Sequence, residues 1–326
     1  MFEQIIGNEH IKEFFVHALE QQKVPHACIL SGEDGLGKRL FAEEFSKALQ
    51  CEGSGAKPCG KCRSCLQMAG HNHPDVIYVG HEKPASIGVD DIRRGLNQDI
   101  LIRPYQSAHK VYIVDEAEKM TIQAQNALLK TLEEPPGYGV ILLLSENAES
   151  FLPTILSRAV VLNLKPVLDS QLRGALAGLG LQEDKLETIV RFAGGNIGKA
   201  RKMAESESFS VMMSRILQLL RNVRKMDLEQ LLETIRSLEE YKLQVKDCID
   251  FMERWYRDVL LFKATNDMNL LVFKDEFRYI RQEAQICSFP GIETILEGME
   301  TAKRRLDANV NYELTMELML LTIQEN

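Results

Sequence analysis

Apolar positions along this chain follow two rhythms, and the change between them falls near residue 166. In the first half, short runs of β-branched residues and leucine alternate with segments whose apolar residues recur at helical spacing. Ala27-Cys28-Ile29-Leu30-Ser31, Val76-Ile77-Tyr78-Val79, Lys110-Val111-Tyr112-Ile113-Val114-Asp115, Val140-Ile141-Leu142-Leu143-Leu144 and Val160-Val161-Leu162 read as strands. Residues 40–49, with Leu40, Phe41, Phe45, Ala48 and Leu49, read as a helix. So do 89–102, ended near Pro104, and 121–133, stopped by Pro135-Pro136. Nearly continuous apolar strands suit a parallel sheet buried on both faces, with helices on either side.

Past Lys165-Pro166 no strand pattern follows. Residues 169–205 form short helical segments broken at Gly178, Gly180 and Gly194-Gly195. From about 208 onward the pattern is helical throughout. Ile216, Leu219, Leu220 and Val223 make one stripe, and Leu228, Leu231, Leu232, Ile235 and Leu238 another, while Pro290-Gly291 punctuates two of the last helices. This predicts an α/β domain at 1–165, a small helical module at 166–206 and a helical bundle at 207–326. No internal repeat stands out.

With 326 residues, the chain is long enough for two or three domains with ordinary cores. Its 39 basic and 47 acidic side chains leave a net charge of −8, which argues against a protein-wide basic field for nucleic acid and leaves only local patches open. The start, Met1-Phe2-Glu3-Gln4-Ile5-Ile6-Gly7, lacks the basic and apolar regions of a secretory signal, and no apolar run is long enough for a membrane span. Seven cysteines in a chain of this size point to a reducing, cytoplasmic setting, with metal binding ahead of disulfides.

The sharpest local signal is Gly32-Glu33-Asp34-Gly35-Leu36-Gly37-Lys38-Arg39, between a strand and a helix. It matches the P-loop G-x-x-x-x-G-K-[ST] except at its last position. Gly32, Gly35 and Gly37 let backbone N–H groups approach phosphates, and Lys38 reaches the outer ones. The hydroxyl that holds Mg²⁺ is replaced by Arg39, a permanent cation with no acceptor, which repels a metal. Downstream, the strand 110–115 ends in Asp115 and is followed by Glu116-Ala117-Glu118, the Walker B arrangement. There Asp115 would approach Mg²⁺ and Glu116 would polarise a water; the plainer alternative is a solvated acidic turn. ATP and magnesium are therefore doubtful cofactors for this chain.

Cys51, Cys59, Cys62 and Cys65 suit a four-thiolate, structural zinc site with no open position; unliganded thiols are the rival reading, and an iron–sulfur cluster a minor one. Gly55, Pro58 and Gly60 supply the turns of such a knuckle within an insert at 51–65. His71 and His73 follow closely; a turn entering the strand at Val76 suits them better than a ligand role. Cys28, Cys248 and Cys287 lie in apolar patterns and read as core. In Thr154-Ile155-Leu156-Ser157-Arg158 an arginine closes a helix before a buried strand, and spacing alone does not separate a helix-dipole partner from a functional group.

Taken together these segments resemble the clamp-loader branch of the AAA+ ATPases, the group that holds the delta-prime and gamma/tau subunits of bacterial DNA polymerase III. The resemblance is strongest in 90–158, through the Walker B strand, Asn126-Ala127-Leu128-Leu129-Lys130-Thr131-Leu132-Glu133-Glu134-Pro135-Pro136, and Leu152-Pro153-Thr154-Ile155-Leu156-Ser157-Arg158. It covers roughly 1–205 well, and the cysteine insert resembles the family's zinc module. It implies a RecA-like parallel sheet carrying the zinc insert, a three-helix lid at 166–206 and an all-α oligomerising collar at 207–326. It also implies gamma/tau and delta subunits, a sliding clamp and primed DNA as partners, and no membrane. By complex membership the chain would belong to a DNA-directed DNA polymerase, a nucleotidyltransferase.

Three departures from the family pattern narrow this. Position 39 lacks the hydroxyl. Gly198 stands at the sensor-2 arginine position, with Lys199 one residue late. The family's Ser-Arg-Cys motif reads Ser157-Arg158-Ala159, keeping its arginine. Parts acting in cis are damaged while the part offered to a neighbour is intact. The expectation is a delta-prime-like subunit without hydrolysis of its own, supplying Arg158 in trans as an arginine finger; the end of the chain at Asn326 is read as the lack of a tau-type extension. The alternatives are an active gamma/tau-like ATPase and a zinc-stabilised DNA-contacting scaffold using Arg93, Arg94, Arg103 or Lys130.

Overall fold

Five strands form one sheet: β1 (Ala27–Ser31), β2 (Val76–Val79), β3 (Lys110–Val114), β4 (Gly139–Ser145) and β5 (Val160–Asn163). Their order is β2-β3-β4-β1-β5 and every pair is parallel. Ala27 lies opposite Ile141, Cys28 opposite Val160, and Val111 opposite both Val76 and Val140. The period of two sorts the side chains onto two cores. Cys28, Leu30, Val111, Ile113, Leu142 and Leu144 face one layer, and Ile29, Tyr112, Val114, Ile141 and Leu143 the other. Each such burial stabilises by about 1.5–3 kcal/mol. This computed structural model describes residues 1–326 apart from 82 and 309, and only the backbone at 184, 207–210, 242–244 and 307.

The chain divides into two compact units, Met1–Ala175 with Gly195–Lys199, and Leu176–Gly194 with Ala200–Asn326. In the first, α1 (Glu9–Glu20) and α2 (Lys38–Leu49) cover one sheet face. Phe15 of α1 stacks on Phe45 of α2 with ring centroids 4.2 Å apart. A short helix, α3 (Arg63–Ala69), begins within the cysteine insert, with Cys62 at its N-cap and Cys65 in its first turn. The other face is covered by α4 (Val89–Ile92) with its continuation and by α5 (Ile122–Glu133) and α6 (Pro153–Leu156); α7 (Asp169–Leu176) closes the unit's main segment.

Two expectations change. The predicted helix over 89–102 is α-helical only to Ile92, then a π-turn over Arg93–Asn97 and a 3₁₀ turn over Asp99–Leu101. Ile92, Leu96 and Ile100 are buried at a spacing of four. The stripe faces the sheet, and the wider π-turn seats Gly95 against Val79 of β2. The strand at Val160 is not buried on both faces, for β5 is an edge strand with Val160 37% exposed.

The second unit is helical among its described residues: α8 (Glu183–Ala193), α9 (Ile197–Glu205, whose first turn belongs to the first unit), α10 (Glu207–Asn222), α11 (Leu228–Leu238), α12 (Val245–Thr265), α13 (Phe277–Ile286), α14 (Phe289–Asp307) and α15 (Tyr312–Glu325). Phe251, Trp255, Tyr256 and Val259 of α12 are buried at its centre. The Arg224 guanidinium donates to Glu283 (2.7 Å), which also accepts from the Tyr256 hydroxyl (3.0 Å). Burial, then Glu283, pushes the Tyr256 phenol well above its ordinary value. Of the predicted stripes, Ile216, Leu219, Leu220, Val223, Leu231, Ile235 and Leu238 are buried and Leu228 is exposed. Cys28, Cys248 and Cys287 are core residues as expected. Proline 290 sits inside the first turn of α14, behind the Ser288 cap, so the break between the last helices falls at Cys287-Ser288.

Candidate nucleotide and metal sites

Parallel strands put their carboxyl ends on one edge, where open α/β sheets bind ligands. The glycine loop leaves β1 there, and Asp115 leaves β3. The Gly32 N–H donates to the Ser145 carbonyl of β4 (3.0 Å). Gly35 and Gly37 adopt φ of 84° and 94°, the left-handed region that glycine tolerates. Gly37 caps α2, whose first N–H groups lack intrahelical partners and form an anion seat. The Lys38 ammonium donates to the carbonyls of Gly32 (2.5 Å) and Glu33 (3.1 Å), bridging the loop. A cavity of about 340 Å³ opens here, lined by Asp34, Gly35, Gly37, Lys38, Arg39 and Asp115.

Arg39 decides the chemistry of this cavity. Its Nε donates to Glu43 Oε1 (3.0 Å), its Nη1 lies 3.6 Å from Asp115 Oδ2, and its guanidinium carbon sits 5.6 Å from the Tyr78 ring centre. Glu43 also accepts from the Tyr78 hydroxyl (3.4 Å). The hydrogen bond to Glu43 holds the Arg39 pKa above its ordinary value; burial, then Glu43, pushes the Tyr78 phenol up to about 12. Magnesium requires near-octahedral oxygen ligands. Here a guanidinium stands at the hydroxyl position and faces Asp115, one of the two aspartates lining the cavity, so these residues do not fit Mg²⁺. Glu116 is turned elsewhere: at φ 49°, its carboxylate meets Lys119 Nζ (2.7 Å) and His81 Nε2 (3.5 Å) and does not line the cavity.

The loop is also held by residues far along the chain, among them Asn196, which sequence reasoning did not assign to the site. Asn196 is 1% exposed; its Nδ2 donates to the Asp34 carbonyl (2.7 Å). Its Oδ1 accepts from the Lys199 N–H (3.0 Å), as an N-cap residue does for α9. The Gly198 N–H donates to the Gly35 carbonyl (2.9 Å). A Cβ at 198 would sit 2.6 Å from Gly35 Cα, and a Cβ at 35 would sit 2.5 Å from Asn196 Oδ1. Gly198 thus permits backbone-to-backbone packing at the position where the family pattern carries a long cation. For Asn196 the signal available in sequence was the helix-start pattern Gly-Gly-Asn at 194–196.

The four predicted ligand cysteines come together: the Sγ atoms of Cys51, Cys59, Cys62 and Cys65 all lie within 4.8 Å of one another. Cys59 and Cys65 are 4.0 Å apart, against about 3.8 Å for thiolates around tetrahedral zinc with 2.3 Å bonds. Backbone N–H groups aim at the sulfurs: Gly53 and Cys59 at Cys51 (3.4 and 3.3 Å), Cys62 at Cys59 (3.3 Å) and Cys65 at Cys62 (3.4 Å). The N–H donors of Lys61 and Cys62 lower the Cys59 thiol to about 6, and that of Cys65 lowers Cys62. Burial raises Cys65 to about 12. A side chain at Gly53 would place its Cβ 2.9 Å from Cys59 Cβ, so the turn is shaped around the cluster. Donor set and spacing fit a metal such as zinc.

Of the two neighbouring histidines, His73 serves the turn, and His71 lies 3.4 Å from the Tyr78 hydroxyl. His73 is buried, within 3.0 Å of Ser64 Oγ, and its Nδ1 accepts from the Asp75 N–H (3.1 Å). Asp75, 1% exposed, accepts the backbone N–H groups of Tyr105, Gln106 and Ser107, which pins that loop to the start of β2.

Arg158 lies just past α6, well away in sequence from the glycine loop. Its Nη1 donates to the Thr154 carbonyl (2.9 Å) and Ser157 Oγ (3.1 Å), and its Nη2 to Glu133 Oε1 (3.0 Å), with the side chain 36% exposed. It therefore caps α6, the plainer of the two roles open in sequence, and also keeps part of its donor fork at the surface.

The sheet order, the glycine loop and the strand-end aspartate define a P-loop α/β protein of the AAA+ kind. Residues 7–168 match the family model described as DNA polymerase III, delta subunit, and residues 212–325 match that described as DNA polymerase III, delta subunit, C terminal. The chain belongs to this family of DNA polymerase III clamp-loader subunits. It is 26% identical to the delta' subunit of Bacillus subtilis (strain 168) over 322 residues, covering 97% of this chain and 95% of that protein. It is 30% identical to the tau subunit of the same organism over 286 residues, covering 81% of this chain and 50% of that protein. A solved structure of a gamma subunit-related protein from Thermotoga maritima shares the fold, with TM-score 0.54 and 21% identity over 97% of this chain and 98% of that one. Among the described residues no helix is long and apolar enough to cross a membrane.

Proposed function

We propose that this chain is a delta-prime-type subunit of the DNA polymerase III clamp loader, helping to place the sliding clamp on primed DNA in the cytoplasm. In this reading it hydrolyses no ATP. It assembles with gamma/tau and delta subunits through a collar at 207–326, joined by a lid at 166–206 to the AAA+ domain at 1–165, and carries a structural zinc on Cys51, Cys59, Cys62 and Cys65. Its catalytic contribution is Arg158, offered to the ATP of the adjacent gamma/tau subunit. A guanidinium arriving in trans stabilises the charge that develops on the transferring phosphoryl oxygens, worth roughly 10³–10⁵ in rate.

The observation that carries this reading is Arg39, held at 3.0 Å from Glu43 and 3.6 Å from Asp115, at the position where a working site needs a hydroxyl and a metal. Residues Gly32, Gly35, Gly37 and Lys38 keep the form of a phosphate loop, which favours a degenerate site over one that never existed. The test is ATP turnover by the purified, zinc-replete chain with magnesium and primed DNA. No turnover is expected. In the assembled complex, Arg158→Ala is expected to lower turnover with assembly intact; unchanged turnover would sink the trans role. The similarity to tau supports a second reading, an active gamma/tau-like ATPase. Under it the isolated chain turns over ATP and Lys38→Ala abolishes the activity.

A further inference from the structure

The partner that Arg158 keeps inside its own chain is Glu133, and its placement runs against local preference. Glu133 is the last residue of α5, followed by Glu134 and then Pro135-Pro136, which end the helix. A carboxylate at a helix C-terminus faces the negative end of the dipole and is disfavoured there. What offsets this is the Arg158 guanidinium 3.0 Å away. The other face of that guanidinium is fixed by the Thr154 carbonyl and Ser157 Oγ, at 2.9 and 3.1 Å. Three acceptors from two elements thus hold one planar group. Arginine carries five N–H donors, so two remain for an incoming oxyanion.

The rod that ends in Glu133 is itself anchored. Thr121 caps the N-terminus of α5, accepting from the Ala124 N–H (3.2 Å). Gln125 donates to the carbonyls of Met120 (3.3 Å) and Ser150 (3.1 Å) and accepts from the Leu152 N–H (2.8 Å). The turn before α6 is thereby tied to α5, and Glu133 and Arg158 keep a fixed separation although 25 residues apart in sequence.

We infer that Glu133 is a positioning residue: it holds the Arg158 fork in the orientation in which it meets an oxyanion, of the phosphoryl class, on a neighbouring subunit. The inference rests on the trans-arginine reading above. Pre-orientation matters because an unrestrained arginine must lose its rotamer freedom when it engages, and a misplacement of an ångström is costly to phosphoryl transfer.

The test uses the assembled clamp loader, with the sliding clamp and primed DNA, and compares Glu133→Ala, Glu133→Asp, Arg158→Ala and the double variant. Assembly is checked by gel filtration. Glu133→Ala is expected to lower kcat roughly three- to tenfold with KM for ATP unchanged, since orientation is needed in the transition state rather than for binding. Glu133→Asp is expected to recover part of the loss, and the double variant to be no slower than Arg158→Ala. If Arg158→Ala slows the complex but Glu133→Ala is as fast as wild type or faster, the positioning role is overturned and the trans-arginine reading stands. Losses that multiply in the double variant also overturn it, because Glu133 would then act through something other than Arg158. If Arg158→Ala itself has no effect, the trans-arginine reading fails and takes this inference with it.

Discussion

Replacing Gly198 by alanine adds one carbon atom, and the consequences can be worked through. The new Cβ would lie 2.6 Å from Gly35 Cα and 2.7 Å from its carbonyl oxygen. Carbon atoms prefer about 3.5–4.0 Å, and neither neighbour is a side-chain end that can swing aside. Segment 195–199 must withdraw by about an ångström. That breaks the Gly198 N–H to Gly35 carbonyl bond (2.9 Å) and the Asn196 to Asp34 bond (2.7 Å). Two such bonds contribute about 1 kcal/mol each, and residual overpacking costs about 1–2 kcal/mol, so the local cost is about 3–4 kcal/mol. The chain divides into two units, so the readout is amide exchange at the site rather than one global melting curve. The amide of residue 198 is expected to exchange roughly 150- to 1,000-fold faster. Gly174→Ala is the control: it lies in α7 with nothing within 4 Å of its Cβ position, and should stabilise by about 0.5–1 kcal/mol. A wild-type exchange rate at 198 in Gly198→Ala would refute the reasoning, since the close approach would then constrain nothing.

Other outcomes follow from the same geometry. Arg39→Thr should gain nucleotide binding that requires Mg²⁺ and vanishes with chelator, followed with a fluorescent ATP analogue; no magnesium dependence would mean Arg39 is not what excludes the metal. Cys59→Ser should lose bound metal, read as zinc content by plasma emission; retention of about one zinc per chain would refute the four-thiolate site. Asp75→Asn replaces one of the two buried acceptor oxygens that hold the N–H groups of Tyr105, Gln106 and Ser107, with an expected local cost of about 2–4 kcal/mol read by amide exchange at residues 105–107; unchanged exchange would show that the loop finds other acceptors. Burial lowers the pKa of His73 and His109. The unfolded chain therefore takes up protons near pH 6.5 that the folded chain refuses. Stability should be full above that pH and fall as pH drops toward the lowered folded values. Melting at pH 7.5 and 5.5 tests this, with His109→Gln flattening the slope; no slope in wild type would contradict it.

The site was legible in sequence where its chemistry is local. A strand, a glycine loop and a lysine at the head of a helix must be contiguous, because the loop works through its own backbone. Short-spaced cysteines are equally local, and their four sulfurs do converge. The π-turn at 93–97 was missed because the spacing of Ile92, Leu96 and Ile100 is compatible with a helix face, and only the fit against β2 reveals the widening. Gly95 shows that fit: its Cβ position is 3.0 Å from Val79 Cγ1. The exposure of β5 was hidden because an apolar strand reads alike at the centre and at the edge of a sheet.

Local pattern alone thus determined the strands, the parallel α/β class, the helical C-terminal half and the glycine loop, since each depends on neighbours within a few residues. Tertiary structure decided which residues complete those parts. Asn196 reaches Asp34 across 162 positions, Arg39 meets Asp115, and Glu133 holds Arg158. Asparagine, arginine and glutamate are common at surfaces and helix ends, and no spacing rule marks them. Their roles arise only when the sheet order brings distant loops to one edge, so that a polar atom finds a single partner within hydrogen-bond reach.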